Sequence, residues 1–210
     1  GTTGRPKGAL LTHEQNIRHF GTFSGIYGLS SDDTYLIVPP FFHSLGYKGG
    51  WLACTIHGAR ILPALTFDLE QLLPLIERER VSVLPGPPTI FHALLAHPKR
   101  KDYDLSSLRF ANTGAAMVPI ELVRRMYSEL NFQVVTIAYG LTESAAVSMT
   151  RPGDDLVKVA TTVGKPLPGG EVRCVDEHNR SVPQGEPGEI VVRGFNVMKG
   201  YFNDPEATAK

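Results

Sequence analysis

The chain opens on Gly1-Thr2-Thr3-Gly4-Arg5-Pro6-Lys7-Gly8. Glycines let a backbone turn tightly and bring N–H groups against a phosphate with no Cβ in the way. Thr2 and Thr3 add hydroxyls and Lys7 a positive charge, a set that suits a polyphosphate. The P-loop of kinases and NTPases needs G-x-x-x-x-G-K-S/T, whereas Lys7 here is followed by Gly8 and stands three positions after Gly4. Further along, Tyr139-Gly140-Leu141-Thr142-Glu143 brings an aromatic face, a hydroxyl and a carboxylate together. A carboxylate is what a hard divalent cation prefers; the competing reading of Glu143 is a helix-start carboxylate on the helix dipole. Pro40-Phe41-Phe42-His43-Ser44-Leu45-Gly46 offers one imidazole after two phenylalanines, and Thr113-Gly114-Ala115-Ala116 a turn of small residues.

These segments need a scaffold, and the hydrophobic pattern supplies one. Thr12 reads as a helix N-cap with Gln15 completing a capping box. Tyr35-Leu36-Ile37-Val38 reads as a buried strand stopped by Pro39-Pro40, residues 49–56 as a short buried helix, and 59–62 as a strand. Leu69, Leu72, Leu73 and Ile76 set a helical period within 68–80. Val81-Ser82-Val83-Leu84 is a strand running into the rigid turn Pro85-Gly86-Pro87-Pro88. Helices are expected over 89–96 and 119–130, the second with Pro119 in its first turn, and strands over 108–111 and 134–138. Strand–helix alternation of this kind predicts an α/β fold with a mainly parallel sheet flanked by helices. Near Pro152 the pattern changes. Residues 171–176 and 189–193 alternate in short runs between Gly, Pro and Asn, which predicts a smaller antiparallel β-rich subdomain over 152–210.

Composition narrows the function classes. The 210 residues are 42% hydrophobic and 20% charged with a formal net charge of +0, so no charge excess points to nucleic acid or an anionic membrane. No run approaches the ~18 apolar residues of a membrane span. Cys54 and Cys174 follow no metal-ligand spacing and suggest reduced thiols in a cytoplasmic setting. His13, His19, His57, His92, His97 and His178 show no ligand spacing and read as surface or core residues, and Lys99-Arg100-Lys101 reads as a solvated loop. The first residue already lies inside the glycine-rich motif and residues 204–210 read as a helix start, so the chain is expected to be an internal fragment of a longer one.

In their order along the chain, these segments are similar to those of the adenylate-forming superfamily, which includes acyl-CoA synthetases, aryl-CoA ligases, luciferases and peptide-synthetase adenylation domains. The opening loop resembles that superfamily's S/T-S-G-T-T-G-x-P-K-G, lacking its first residues. The His43 segment resembles P-x-F-H-x-x-G, Gly114-Ala115-Ala116 resembles G-A-A or G-G-A, and the Tyr139 segment matches Y-G-x-T-E. Gly188-Glu189-Ile190 through Gly194, followed by Gly200-Tyr201, resembles G-E-I/L-x-x-x-G…G-Y. The likeness covers essentially the whole chain.

The resemblance implies activation of a carboxylic acid by ATP to an acyl-adenylate, followed by thioester formation with coenzyme A. Residues 1–151 would be the ATP- and acyl-binding region. Lys7, His43, Thr142 and Glu143 would form the catalytic set. Thr2, Thr3 and Lys7 would hold the β- and γ-phosphates in the loop shaped by Gly1 and Gly4. Tyr139 would pack on adenine beside Gly140, Thr142 would bond the α-phosphate, and Glu143 would ligate Mg²⁺. Gly114, Ala115 and Ala116 would line the adenine and acyl pocket, with His43 as a gate beside the carboxylate. Amino-acid-activating members usually carry Phe-Asp where this chain has Phe42-His43, so a plain carboxylic acid is expected. Phe42-His43-Ser44-Leu45-Gly46-Tyr47-Lys48, Val83-Leu84-Pro85-Gly86-Pro87-Pro88-Thr89, Asp104-Leu105-Ser106-Ser107-Leu108-Arg109-Phe110 and Asn196-Val197-Met198 resemble actinobacterial acyl-CoA ligases, particularly the type acting on the propanoate left by steroid ring breakdown. The family's ribose-binding Asp and its C-terminal domain with a catalytic Lys are expected beyond these residues, and the fragment alone is expected to have little ligase activity. Two alternatives share these motifs, an adenylation domain loading a carrier protein and a non-catalytic nucleotide-binding module.

Overall fold

A computed structural model describes residues 5–209. In chain order the elements are α1 (His13–Ile26), β1 (Thr34–Ile37), a π-helical segment (Leu45–Leu52) continuing into α2 (Ala53–His57), β2 (Arg60–Pro63), α3 (Leu69–Arg78), β3 (Val83–Pro85), α4 (Pro88–Ala96), β4 (Phe110–Gly114), α5 (Ile120–Leu130), β5 (Val134–Leu141), β6 (Ala145–Met149), α6 (Leu156–Thr161), β7 (Lys165–Pro166), β8 (Gly170–Val175), β9 (Glu189–Gly194) and α7 (Pro205–Ala209). Seven strands form one sheet in the order β2-β1-β3-β4-β5-β6-β7, and β8 with β9 forms a second. The first five strands are mutually parallel, whereas β6 pairs antiparallel with β5 and β7 antiparallel with β6. The expected α/β sheet and the antiparallel pair are both present.

Helices cover both faces of the large sheet, which is why its strands read as near-continuous apolar runs. On β1, Leu36 faces a cluster with Leu73, Ile76, Phe91, Leu122 and Met126 from α3, α4 and α5. Its neighbours Tyr35 and Ile37 face the other cluster, with Phe20 and Phe23 from α1 and Cys54 from α2. The two-residue alternation of a strand thus divides its side chains between two cores.

At the N-terminal ends of β1, β3 and β4 a polar clamp fixes the register. Asp33 accepts from Arg109 Nε at 2.6 Å and Nη2 at 2.5 Å, and from Ser82 Oγ at 2.7 Å. Arg109 also donates to the carbonyls of Tyr27 and Gly28 at 3.2 and 3.0 Å, while the Tyr27 ring stacks on Phe110 at 3.8 Å. Burial alone would raise the Asp33 pKa; the Arg109 and Ser82 hydrogen bonds outweigh it and hold the carboxyl below its ordinary value.

Several boundaries differ from expectation. The buried helix expected over 49–56 begins earlier, with a π-helical stretch from Leu45, and leaves Trp51 and Ile56 exposed. Pro119 is the N-cap of α5 rather than part of its first turn. The strand expected to end at Ala138 continues to Leu141 and folds back as β6. Glu143 therefore lies in the turn between two antiparallel strands, which removes the helix-dipole reading of its carboxylate. After Pro152, α6 packs on α5 and β5, and β7 still pairs with β6. The separate two-stranded sheet begins at Gly170. Among the described residues no helix is long and apolar enough to cross a membrane.

Candidate active site

Parallel strands end on one edge, and in open α/β sheets ligands bind beyond those carboxyl ends. The segment after β1 carries His43, β4 ends in Gly114 with Ala115 and Ala116 beyond it, and β5 carries Tyr139 and Gly140 with Thr142 and Glu143 in the following turn. The fold thus gathers these motif residues on a single edge. β3 and β4 lie between β1 and β5, so the His43 loop and the Glu143 turn start roughly 14 Å apart, three strand spacings. That separation suits an extended ligand lying across the edge.

The glycines of the two central motifs have a steric reason to be there. A Cβ on Gly114 would collide with the Ala138 carbonyl oxygen, and one on Gly140 with that of Ala145. Gly140 lies at a register irregularity in the β5–β6 ladder, a β-bulge type of distortion that re-aims neighbouring side chains. Ala115 holds φ of +61°, a left-handed conformation costing an L-residue roughly 1–2 kcal/mol. Such strain clusters where backbone geometry serves a ligand. Ala115 and Ala116 are exposed. Thr113 Oγ1 and Ser148 Oγ, on the strands flanking β5, are buried without hydrogen-bond partners among the described residues.

Three contacts from residues 196–201 hold the Glu143 turn. Asn196 Nδ2 donates to the Ser144 carbonyl at 2.8 Å, Met198 N–H to the Glu143 carbonyl at 2.7 Å, and Tyr201 Oη to Glu143 Oε1 at 2.6 Å. Lys7 Nζ lies 4.5 Å from the centroid of the Tyr201 ring. The Tyr201 hydrogen bond, opposed by burial and assisted by the nearby Lys7 charge, holds the Glu143 carboxyl below its ordinary pKa. The tyrosine hydroxyl, kept by Glu143 as a donor, is shifted up.

His43 stands apart from this group. It is exposed, and its Nδ1 accepts the Leu45 N–H at 3.1 Å, which leaves Nε2 to carry the proton of the neutral ring. Its carbonyl accepts from Gly46 and Tyr47 at 3.0 Å each, which ties the residue to the first turn of the π-helical segment that follows it. Thr142 is exposed and Tyr139 half-buried. Gly1, Thr2, Thr3 and Gly4, expected to complete the phosphate loop, lie outside the described residues.

Among the described residues no group of three or more His, Cys, Asp or Glu is arranged to hold a metal ion. Glu143 is a single ionised carboxylate with one oxygen engaged by Tyr201. That donor set fits Mg²⁺, which commonly takes one or two protein carboxylates and fills its octahedron with phosphate oxygens and water. Sequence reasoning missed Tyr201 as a member of the site. Gly200-Tyr201 was recognisable as part of a family segment, but nothing local says that residues 196–202 return across the molecule to Glu143.

The AMP-binding enzyme family matches residues 1–202. The 3-[(3aS,4S,7aS)-7a-methyl-1,5-dioxo-octahydro-1H-inden-4-yl]propanoyl:CoA ligase of Rhodococcus jostii is 50% identical over 210 residues, spanning 100% of this chain and 39% of that protein. Its namesake from Mycobacterium tuberculosis is 52% identical over the same shares of both chains. The O-succinylbenzoate coenzyme A synthetase of Bacillus subtilis, solved in complex with ATP and magnesium ion, matches with a TM-score of 0.87 at 28% identity, over 100% of this chain and 42% of that one. The chain thus spans about two-fifths of the length of the relatives it matches. Motifs brought together on one sheet edge, a family match through residue 202 and this shared fold carry one conclusion: the chain belongs to the AMP-binding enzyme family.

Proposed function

We propose that the protein carrying this chain activates a carboxylic acid with ATP and transfers the acyl group to coenzyme A. The observation that supports this reading most is the meeting of Lys7, Tyr201 and Glu143 at the end of β5, on the same edge of the parallel sheet as the small-residue turn Gly114-Ala115-Ala116. A carboxylate oxygen of the acid attacks the α-phosphorus of ATP, the bond to the bridging oxygen breaks, and pyrophosphate leaves. The thiol of coenzyme A then attacks the acyl carbon and AMP leaves. Magnesium, when bound, would neutralise charge on the phosphates.

The chain's own residues bind and orient. Lys7, with Gly1, Thr2, Thr3 and Gly4, would hold the β- and γ-phosphates, and Thr142 the α-phosphate. Glu143 would offer its second oxygen to the metal. Tyr139 and Gly140 would border adenine together with Gly114, Ala115 and Ala116, and the Nε2–H of His43 would meet the acid's carboxylate. These roles need no covalent enzyme intermediate and rest on positioning and charge neutralisation.

For the acid itself, the two bicyclic propanoyl:CoA ligases at 50% and 52% identity support a propanoate borne on a fused alicyclic ring. The two free thiols, Cys54 and Cys174, support a cytoplasmic setting. Acid-dependent ATP–pyrophosphate exchange by the intact protein, measured with fused-ring propanoates, aryl acids and straight-chain acids, tests the reading. Exchange strongest with fused-ring propanoates and thioester formed on free coenzyme A are the expected results. Absence of exchange with any acid would sink the adenylation reading, and thioester formed only on a carrier protein would redirect it to the alternative acceptor.

A further inference from the structure

We infer that Tyr201 is a positioning residue that ties the phosphate-binding Lys7 to the metal-ligating Glu143. The inference rests on the roles proposed above for those two residues. Its basis is a backbone strap, residues 196–202, that is bonded on one side to the Glu143 turn and on the other to the residues following Lys7. Toward Glu143 run the Asn196, Met198 and Tyr201 hydrogen bonds already described. Toward the loop, Phe202 N–H donates to the Gly8 carbonyl at 2.7 Å, Leu10 N–H to Gly200 at 2.9 Å, and Lys199 N–H to Leu10 at 2.8 Å. Ala9 and Tyr201 form an isolated antiparallel bridge. The strap is itself held at its start, because Gln15 Nε2 donates to the carbonyls of Phe195 and Val197.

Tyr201 adds the side-chain link between the two charges. Its ring face lies under the Lys7 ammonium and its hydroxyl occupies Oε1 of Glu143. A carboxylate with one oxygen fixed by a donor has its other oxygen aimed, which is what a metal needing near-ideal octahedral geometry selects for. The ring and the hydroxyl therefore do separable jobs. The hydroxyl orients Glu143, and the ring steadies Lys7 by a cation–π contact. Neither job requires Tyr201 to touch a substrate.

Two variants separate them in the intact protein. Tyr201→Phe keeps the ring and removes the donor. Tyr201→Leu removes both. ATP binding is measured by calorimetry with and without Mg²⁺, and acid-dependent ATP–pyrophosphate exchange is titrated with Mg²⁺. For Tyr201→Phe the half-saturating Mg²⁺ is expected to rise about tenfold in both readouts, the scale of one hydrogen bond to a charged group. ATP affinity without metal and KM for the acid stay as in the parent. Tyr201→Leu is expected to weaken metal-free ATP binding as well.

Unchanged Mg²⁺ dependence in Tyr201→Phe, or a fall in exchange by one factor at every Mg²⁺ level, overturns the inference. If Tyr201→Leu does not fold, the Phe variant decides alone. Glu143→Gln separates this failure from failure of the underlying reading. Loss of the Mg²⁺ response in Glu143→Gln with no shift in Tyr201→Phe refutes only the positioning role. An intact Mg²⁺ response in Glu143→Gln refutes the metal role of Glu143, and the inference falls with it.

Discussion

Gly114 and Ala138 face each other across the β4–β5 ladder so closely that a Cβ on Gly114 would meet the Ala138 carbonyl oxygen. The clash is with backbone, so no side-chain rotation relieves it, and the φ of +155° at Gly114 is itself unfavourable for an L-residue. Gly114→Ala should therefore destabilise the protein by about 2–3 kcal/mol, the range of overpacking that shifts backbone. Urea unfolding of the intact protein measures this. An unchanged midpoint would mean that the ladder opens freely and that this glycine serves only ligand access.

The next residue behaves in the opposite sense. Ala115 sits at φ +61°, where glycine avoids a cost of about 1–2 kcal/mol but brings about 0.4–1 kcal/mol of extra unfolded-chain entropy. Ala115→Gly should stabilise the protein by about 0.5–1 kcal/mol, read in the same unfolding experiment. A loss of stability would show that the alanine methyl, though exposed, makes contacts that outweigh its backbone strain.

Much of this geometry was legible because strand and helix periods differ and because breakers punctuate them. Leu69, Leu72, Leu73 and Ile76 gave α3 by spacing alone, and Leu72, Leu73 and Ile76 are buried. Thr12 and Gln15 gave the start of α1, down to the reciprocal capping bonds at 2.7 and 3.1 Å. What stayed hidden depends on contacts distant in sequence. The β6 strand has no turn signal of Gly, Pro or Asn before it, since Thr142-Glu143-Ser144 makes the reversal, so the end of β5 and the whole of β6 were missed. Within the π-helical segment Gly46, Gly49 and Gly50 are buried in tight surroundings. A Cβ on Gly46 would strike the Pro39 and Pro40 carbonyls, and one on Gly50 the Ile37 side chain. Local propensity carries no trace of that. The motif residues were found by type and order, whereas Tyr201 needed the fold, because its partner is 58 positions away.

Gln15 connects a local signal to a distant one. Its side chain closes the Thr12 capping box and also donates to Phe195 and Val197 at 2.8 and 2.7 Å, with only 9% of the residue exposed. Thr12→Ala removes a cap and should cost about 1 kcal/mol. Gln15→Ala removes one capping acceptor and the Nε2 donor that serves the Phe195 and Val197 carbonyls, so about 2 kcal/mol or more is expected. Thermal unfolding of the two variants checks the order. Equal effects would show that the contacts with residues 195–197 add nothing to stability.

His19 should give the protein a distinct acid sensitivity. The residue is 3% exposed, its Nε2 has no hydrogen-bond partner among the described residues, and its ring packs edge-on against Phe20 at 5.0 Å. Burial, and secondarily the Lys48 charge, lower its pKa from 6.5 to about 4. The unfolded chain therefore binds a proton at His19 more readily than the folded one. Stability from this group is complete above pH 6.5 and declines as pH falls toward 4, by about 3 kcal/mol in total. Asp33 contributes in a separate window, since its folded pKa is depressed by Arg109 and Ser82 against burial. Its contribution is full above the ordinary aspartate value of about 3.9 and is lost below it. His19→Phe keeps an aromatic ring in the same core and removes the titration. Unfolding free energies measured from pH 7 down to 4.5 should fall less steeply for His19→Phe than for the parent. Parallel profiles would show that the buried imidazole gains a proton in the folded state as easily as in the unfolded one, through water or a shift of Lys48, and would remove His19 as the source of acid sensitivity.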